Sequence, residues 1–506
     1  MRHVIGILAA FSLLCGGAGI RADARAAAPL WFSGTQLTQQ AIDVMSEMRH
    51  ADARGLRASD YAIDELSDGS LSLAVARFVS DLHSGRVDPR QLGYDLDVAR
   101  PKFDVDSVVS TLSHAASVTA VLDEVEPQFL HYRLLKASLA RYRQLTTHPE
   151  LNSLPDPGKT AIKPGCLYSG APALRKLLAA LGDMPQSADD RGFQLDQELV
   201  RGLKTYQARH GLSQDGALGG ETYRALTTPF SERVKQIELS LERWRWLPPK
   251  LDAPAILVNI PEFRLFALYT AADLEQQMLK MDVIVGKSFP LMQTPVFAAD
   301  MRYIVLHPYW DVPFSILRRE LLPSIRRDPT YIARNDYEIV RGQTDAAPVQ
   351  PVNAQSIEEL ARGVLRLRQK PGPKNPLGFV KFMLPNQHSV YLHGTSAPAL
   401  FGGAQRAFSH GCIRVADPMA LMSYALRDTP EWDSERLVTQ LRQPGPYRIN
   451  LRKPIRVFIV YTTALAAEDG RTLFFRDIYA HDARLGALLE ARSQQLAARA
   501  TPSLSH

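Results

Sequence analysis

From about Thr38 to Tyr142 apolar residues recur at helical spacing, first as Ala41, Val44, Met45 and Met48 and then as Leu73, Val75, Ala76, Phe78, Val79 and Leu82. This pattern predicts a helical scaffold domain over 30–150. The stretch 151–165 is rich in Pro, Gly and polar residues and marks a domain entry. Beyond it Leu174, Leu177, Leu178 and Leu181 form one helical stripe that ends at Gly182, and Leu199, Leu203, Tyr206 and Gln207 form a second before Gly211. A compact helical module over 165–228 follows from these. A further amphipathic run, Val234 to Trp246, stops at Pro248-Pro249 and has the character of the N-terminal helices. Its segment, 229–250, is expected to be the second part of the scaffold, with the module inserted between the two parts.

After Asp252 the period changes to two, in short β-branched runs: Ala255 to Asn259, Arg264 to Tyr269, Met281 to Val285, Tyr303 to His307, Val380 to Met383, Val390 to Leu392 and Arg456 to Val460. A mostly β domain over 252–482 is predicted, followed by a C-terminal tail, 483–506. Residues 315–374 interrupt it with helical patterns at Ile316 to Arg327 and Ile357 to Leu367, too long for an ordinary loop and so a folded lid subdomain. The fold class is α+β, with an all-α scaffold and a small helical module beside the β domain.

A chain of 506 residues, 45% apolar and 22% charged, is globular and exceeds a single core. Its first residues read as a secretory signal over 1–26: Arg2 and His3, an apolar stretch from Val4 to Leu14, and small-x-small cleavage sites at Ala22-Asp23-Ala24 and Ala24-Arg25-Ala26. The apolar run is shorter than the ~20 residues of a spanning helix, so an uncleaved signal serving as membrane anchor is the alternative. Leu14 is too bulky to precede a lipidated Cys15. Export leaves Cys166 and Cys412, which either pair or stay apart for chemistry. The net charge of +6 favours an anionic wall polymer or membrane surface, and no basic run interleaved with aromatics points to nucleic acid.

The candidate chemistry lies in Tyr391-Leu392-His393-Gly394-Thr395 and Ser409-His410-Gly411-Cys412-Ile413-Arg414-Val415. A neutral thiol attacks amides poorly, so Cys412 needs an imidazole or an electropositive setting. His393, at a strand end, is placed to reach it from a neighbouring strand as base. His410, two residues before the thiol, is held by the local turn. Gly411 permits a tight turn that brings backbone N–H groups near an oxyanion, and Arg414 is placed to grip a substrate carboxylate. Taken singly, each has a duller reading: a buried thiol, a hydrogen-bonded histidine, a solvated arginine.

Together these segments resemble the signature of the L,D-transpeptidase catalytic domain, the YkuD-like family. The resemblance extends through Val283-Ile284-Val285-Gly286-Lys287, Thr294-Pro295-Val296-Phe297, His307-Pro308-Tyr309-Trp310-Asp311-Val312-Pro313, Arg368 to Pro373 and Pro385-Asn386. With the lid and scaffold it is similar to the large YcbB-type branch, and Leu203 to Thr222 resembles the three-helix peptidoglycan-binding domain. The resemblance implies a periplasmic cysteine acyltransferase of cell-wall remodelling that needs neither cofactor nor metal. Cys412 would be the nucleophile and His393 the base, oriented by the carbonyl of Gly394. Ser409, His410 and Gly411 would form the oxyanion loop, and Arg414, Tyr391 and Trp310 would contact substrate. Donor and acceptor peptidoglycan stem peptides are the implied partners, with release of D-alanine from a tetrapeptide, 3→3 cross-linking and inhibition by carbapenems. Peripheral association with the inner membrane and with wall-synthesis enzymes is a further expectation. The rival readings are an L,D-carboxypeptidase or D-amino acid exchange enzyme, and a non-catalytic wall-binding protein. His307 departs from the branch, which often has Asn there.

Overall fold

The computed structural model describes residues 30–96, 103–186, 192–248, 253–270, 278–288 and 292–500, and the signal expected at 1–26 lies outside them. The first third is a short hairpin, β1 (Phe32–Ser33) and β2 (Gln36–Leu37), followed by α1 (Gln39–Arg49), α2 (Asp68–Ser84), α3 (Val105–Ser113), α4 (Val118–Val125) and α5 (Leu130–Leu145). Side-chain caps fix where these helices begin: Thr38 accepts the Ala41 N–H, and Ser67 and Ser70 form a reciprocal box at the start of α2. Val44, Val75, Phe78, Leu112 and Leu122 close around Trp31. Leu73 departs from the expected stripe and faces outward, 70% exposed, while Leu71 and Val75 are buried.

The module comprises α6 (Ala171–Leu181), α7 (Gln197–Arg209) and α8 (Gly220–Leu226). Gly182 ends α6 at φ 81°, and Gly216 turns at φ 69° beside Asp215, whose carboxylate accepts both the Ala217 N–H and the Gln207 amide. Helix α9 (Phe230–Trp244) then returns along α5, where Ile237 and Leu241 share a core with Leu139 and Tyr142. The module is therefore spliced between adjacent scaffold helices.

The β region opens with β3 (Ala255–Asn259), β4 (Arg264–Leu268), β5 (Leu279–Gly286) and β6 (Phe297–Leu306). The lid then departs as β7 (Trp310–Asp311), α10 (Phe314–Ile316), a π-helical turn at Leu317–Leu321, α11 (Leu322–Arg327), α12 (Thr330–Arg334), β8 (Tyr337–Val340), β9 (Val349–Gln350), α13 (Ala354–Ala361) and β10 (Arg366–Gln369). Its strands form their own sheet in the order β7-β10-β8-β9, over a core that includes Ile325, Ile339, Leu360 and Leu367. The helix expected over Ile357 to Leu367 ends early because Gly363 turns at φ 76°, after which Leu365 and Leu367 enter that core at strand spacing.

The main sheet resumes with β11 (Val380–Met383), β12 (Leu392–His393), β13 (Ala407–Ser409), β14 (Ile413–Val415), α14 (Pro418–Leu426), α15 (Ser434–Leu441) and β15 (Tyr447–Val460). Its order is β13-β5-β14-β12-β11-β6-β15-β3-β4, and β4 also pairs with β5, so the sheet closes on itself and satisfies what would be open edges.

Two boundaries differ from expectation. Past β15 the chain leaves the sheet: the hairpin β16 (Ala464–Ala466) and β17 (Thr472–Phe474) buries Ala464, Ala466 and Phe474 in the scaffold core rather than in the β domain. The supposed tail is α16 (His481–Ala500), held because Leu485 and Leu489 are buried one turn apart and Arg492 grips Asp81 of α2 at 2.7 Å. Among the described residues no helix is long and apolar enough to cross a membrane.

Candidate active site

Strands β12 and β14 run parallel with Leu392 opposite Ile413 and His393 opposite Arg414, while β11 runs antiparallel with Lys381 opposite His393. Side chains of directly paired residues point to the same face of a sheet. Leu392, Ile413 and Phe382 accordingly enter the core, and Lys381, His393 and Arg414 form a row on the other face. Alternation along the strands puts Tyr391 and Cys412 on that face too, one step further on. The thiol and the imidazole thus belong to neighbouring strands and a common surface.

The turn that carries the thiol is tied from both sides. Gly411 sits at φ 116°, where a side chain would be strained, and its carbonyl accepts the Thr294 hydroxyl at 2.8 Å. Ser409 is buried, donates to the Cys412 carbonyl at 2.5 Å and accepts the Gly411 N–H at 3.1 Å. The Gly411 N–H is thus engaged by the Ser409 hydroxyl, while the Cys412 N–H makes no hydrogen bond among the described residues. Thr294 is fully buried and also accepts the Gly286 N–H at 2.9 Å, so the Thr294-Pro295 block braces the nucleophile turn.

His393 is buried, and its Nδ1 lies 2.6 Å from the Gly394 carbonyl. A carbonyl accepts only, so Nδ1 carries the proton and Nε2 is the basic nitrogen. Burial, then the Arg414 guanidinium, pushes this imidazole down to about 3, with the Lys381 ammonium adding to the effect against the Gly394 and Leu377 carbonyls. At neutral pH the His393 ring is uncharged. Burial raises the Cys412 thiol above its ordinary range, opposed by the Tyr391 N–H and hydroxyl and by the positive charges of Lys381 and Arg414. Sγ also lies 3.9 Å from the Ser389 carbonyl. Cys166 is exposed and Cys412 is free, so no disulfide joins them.

Arg414 has a buried Nε without a hydrogen-bond partner among the described residues. Tyr391 packs at 5.7 Å from the His393 ring. Trp310 stands elsewhere, on lid strand β7, with its ring 6.3 Å from Tyr337 against the lid core. His307 adopts φ 46°, a region that Asn and His tolerate better than most residues, and its ring contacts the Leu441 carbonyl at 2.8 Å rather than the site.

His410 faces the lid: its Nε2 meets Glu320 of the π-helical turn at 2.6 Å. This contact couples the lid to the nucleophile turn. Glu320→Gln should raise hydrogen exchange in 314–327 and at 409–412 several-fold with little change in melting temperature, since an exposed pair contributes about 0–1 kcal/mol. Exchange measured by mass spectrometry checks it, and unchanged protection in both segments would separate lid from turn.

Lys381 and Glu320 were not singled out in the sequence, and Thr294 was named only as part of the Thr294-Pro295 block. Lys381 alone carried a signal, a charge between the core residues Val380 and Phe382 in a strand of period two.

Residues 253–432 match the family model described as "L,D-transpeptidase catalytic domain", residues 23–139 one described as "Scaffold domain", and residues 169–226 one described as "Putative peptidoglycan binding domain". A Haemophilus influenzae protein named "Putative L,D-transpeptidase" is 30% identical over 259 residues, which is 51% of this chain and 50% of the relative. The chain thus spans about half the length of the curated relative it matches. A solved L,D-transpeptidase segment (residues 123-326) from Xylanimonas cellulosilytica aligns at 14% identity over 60% of this chain and 100% of that one, with a TM-score of 0.18 that bears no weight.

Proposed function

Because residues 253–432 are an L,D-transpeptidase catalytic domain of the YkuD family, joined to a peptidoglycan-binding domain, we propose that this protein forms 3→3 cross-links in peptidoglycan through a thioester on Cys412. The observation that supports the reading is the common sheet face that holds a free thiol, a neutral imidazole and a guanidinium whose buried Nε has no partner among the described residues.

The thiol of Cys412 attacks the carbonyl at the L-centre of the diamino acid in a tetrapeptide stem, and its proton passes to Nε2 of His393. The Cys412 N–H, which makes no other hydrogen bond among the described residues, supports the oxyanion of the tetrahedral intermediate. Collapse breaks the C–N bond, His393 returns the proton to the leaving amine, and D-alanine departs. Arg414 fits the role of holding a stem carboxylate. The side-chain amine of a second stem then attacks the thioester, the C–S bond breaks, and the amine's proton returns to sulfur through His393. The chain acts in the periplasm, exported by its N-terminal segment, and carbapenems acylate the same sulfur.

Incubation with tetrapeptide-rich sacculi followed by muropeptide analysis tests the acceptor. Dimers joined 3→3, with free D-alanine, are expected; tripeptides alone would mean that water is the acceptor, and exchanged terminal residues would mean a free D-amino acid. Either outcome would replace cross-linking with the trimming or exchange reading.

A further inference from the structure

Lys381 has no role in the steps above, yet it occupies the active face. It lies opposite His393 in the register of β11 and β12, and its side chain leans along the sheet so that Nζ sits 4.0 Å from the centre of the Tyr391 ring. Tyr391 in turn lies on the same face one step along from His393, as Cys412 does from Arg414, and its N–H and hydroxyl favour the thiolate form of the Cys412 sulfur. A partly buried ammonium between flanking core residues is costly unless an anion compensates it.

The charges around it narrow the candidates. On β12, Tyr391 and His393 are both neutral at physiological pH, with burial raising the phenol well above its ordinary value and holding the imidazole at about 3. On β14, Arg414 is a second cation. From the lid, Asp311 is the strongest charge favouring the Lys381 ammonium, ahead of Cys412 and Asp345; Asp311 is itself paired with Arg366 and is exposed, as Asp345 is, so neither lies within the cleft face. Across β6 the register neighbour is Val305, which carries no charge. Cys412 is the group on this face that becomes an anion during acyl transfer, and the sulfur and the ammonium each favour the charged form of the other.

We propose that Lys381, seated on the Tyr391 ring, is the counter-charge for the thiolate of Cys412, supplying the electrostatic support that the neutral His393 does not. The cation over the ring also polarises the phenol, which strengthens its O–H as donor to sulfur. His393 remains the proton carrier, and Lys381 acts on the charge left behind. The proposal rests on Cys412 being the nucleophile of the reading above, but alkylation reports thiolate formation whether or not cross-links are made.

The pH dependence of Cys412 alkylation by iodoacetamide is the test, followed by intact mass, with Cys15 and Cys166 replaced by Ser to leave one thiol. Lys381→Met should move the apparent thiol pKa up by about one unit, about a tenfold slower reaction on the acid side of the midpoint. Lys381→Arg should restore most of it. An unchanged profile in Lys381→Met overturns the proposal, as does an equal shift in Lys381→Arg, which would assign the effect to packing. A reciprocal measurement needs no change at Lys381: Cys412→Ala should lower the amine pKa of Lys381 in competitive labelling. An amine that titrates identically with and without the sulfur overturns the proposal even if the Lys381 variants do not fold.

Discussion

Cys412→Ala is expected to abolish both carbapenem acylation and cross-link formation while leaving the fold close to intact. The chemistry proposed for this site is covalent, so removing sulfur removes the intermediate itself and not merely a stabilising contact; residual turnover of at most ~10⁻³ of the parent is expected. The side chain is half-buried on the cleft face and contributes little packing, so the stability cost should be about 1 kcal/mol or less. The turn around it survives because its bonds do not involve the sulfur: Thr294 holds the Gly411 carbonyl, and Ser409 holds the Cys412 carbonyl and the Gly411 N–H. Intact-mass measurement after carbapenem exposure, alongside thermal unfolding, checks both halves. An adduct retained in this variant would place the reactive group elsewhere, and the exposed Cys166 would be the first residue to examine.

Why the active face was partly legible in sequence follows from which features depend on local spacing. Alternation in Val380 to Met383 gave a strand with two core residues, and the nucleophile block was visible as a compact cluster of chemically unusual types. The pairing of Lys381 with His393 was not readable, because register is a property of two strands and their connection, not of either run. The same holds for Thr294, whose bond to Gly411 spans 117 positions. In the scaffold, α16 was read as a tail because its apolar residues are sparse between arginines and alanines; its stability comes from tertiary partners, the buried Leu485 and the Arg492–Asp81 pair. Strand β15 was seen only from Arg456, since Arg452, Lys453 and Pro454 break the alternation. That interruption is where its register with β6 shifts, between Asn450 and Ile455, an irregularity that accommodates a proline lacking an N–H.

His393→Ala should slow acylation of Cys412 by about 10²–10⁴-fold, the range associated with loss of a positioned general base. The argument begins with the Gly394 carbonyl, which holds Nδ1 at 2.6 Å and so fixes both the tautomer and the plane of the ring. It continues with the flanking cations. Arg414 and Lys381, added to burial, keep the imidazole uncharged down to about pH 3, so wild-type acylation should show no acid limb from His393 as pH falls from 7 to 5. A limb centred near 6.5, lost in His393→Ala, would instead mean that the resting ring titrates like an ordinary histidine. His410→Ala provides the contrast, since its ring faces Glu320 across the lid contact and not the row on the sheet. It should alter lid exchange and substrate KM more than the acylation step at saturation. Single-turnover acylation of both variants, at matched stability, distinguishes the two histidines; a greater loss of the acylation step from His410→Ala would move the base to the nucleophile turn and leave His393 as the residue that positions it.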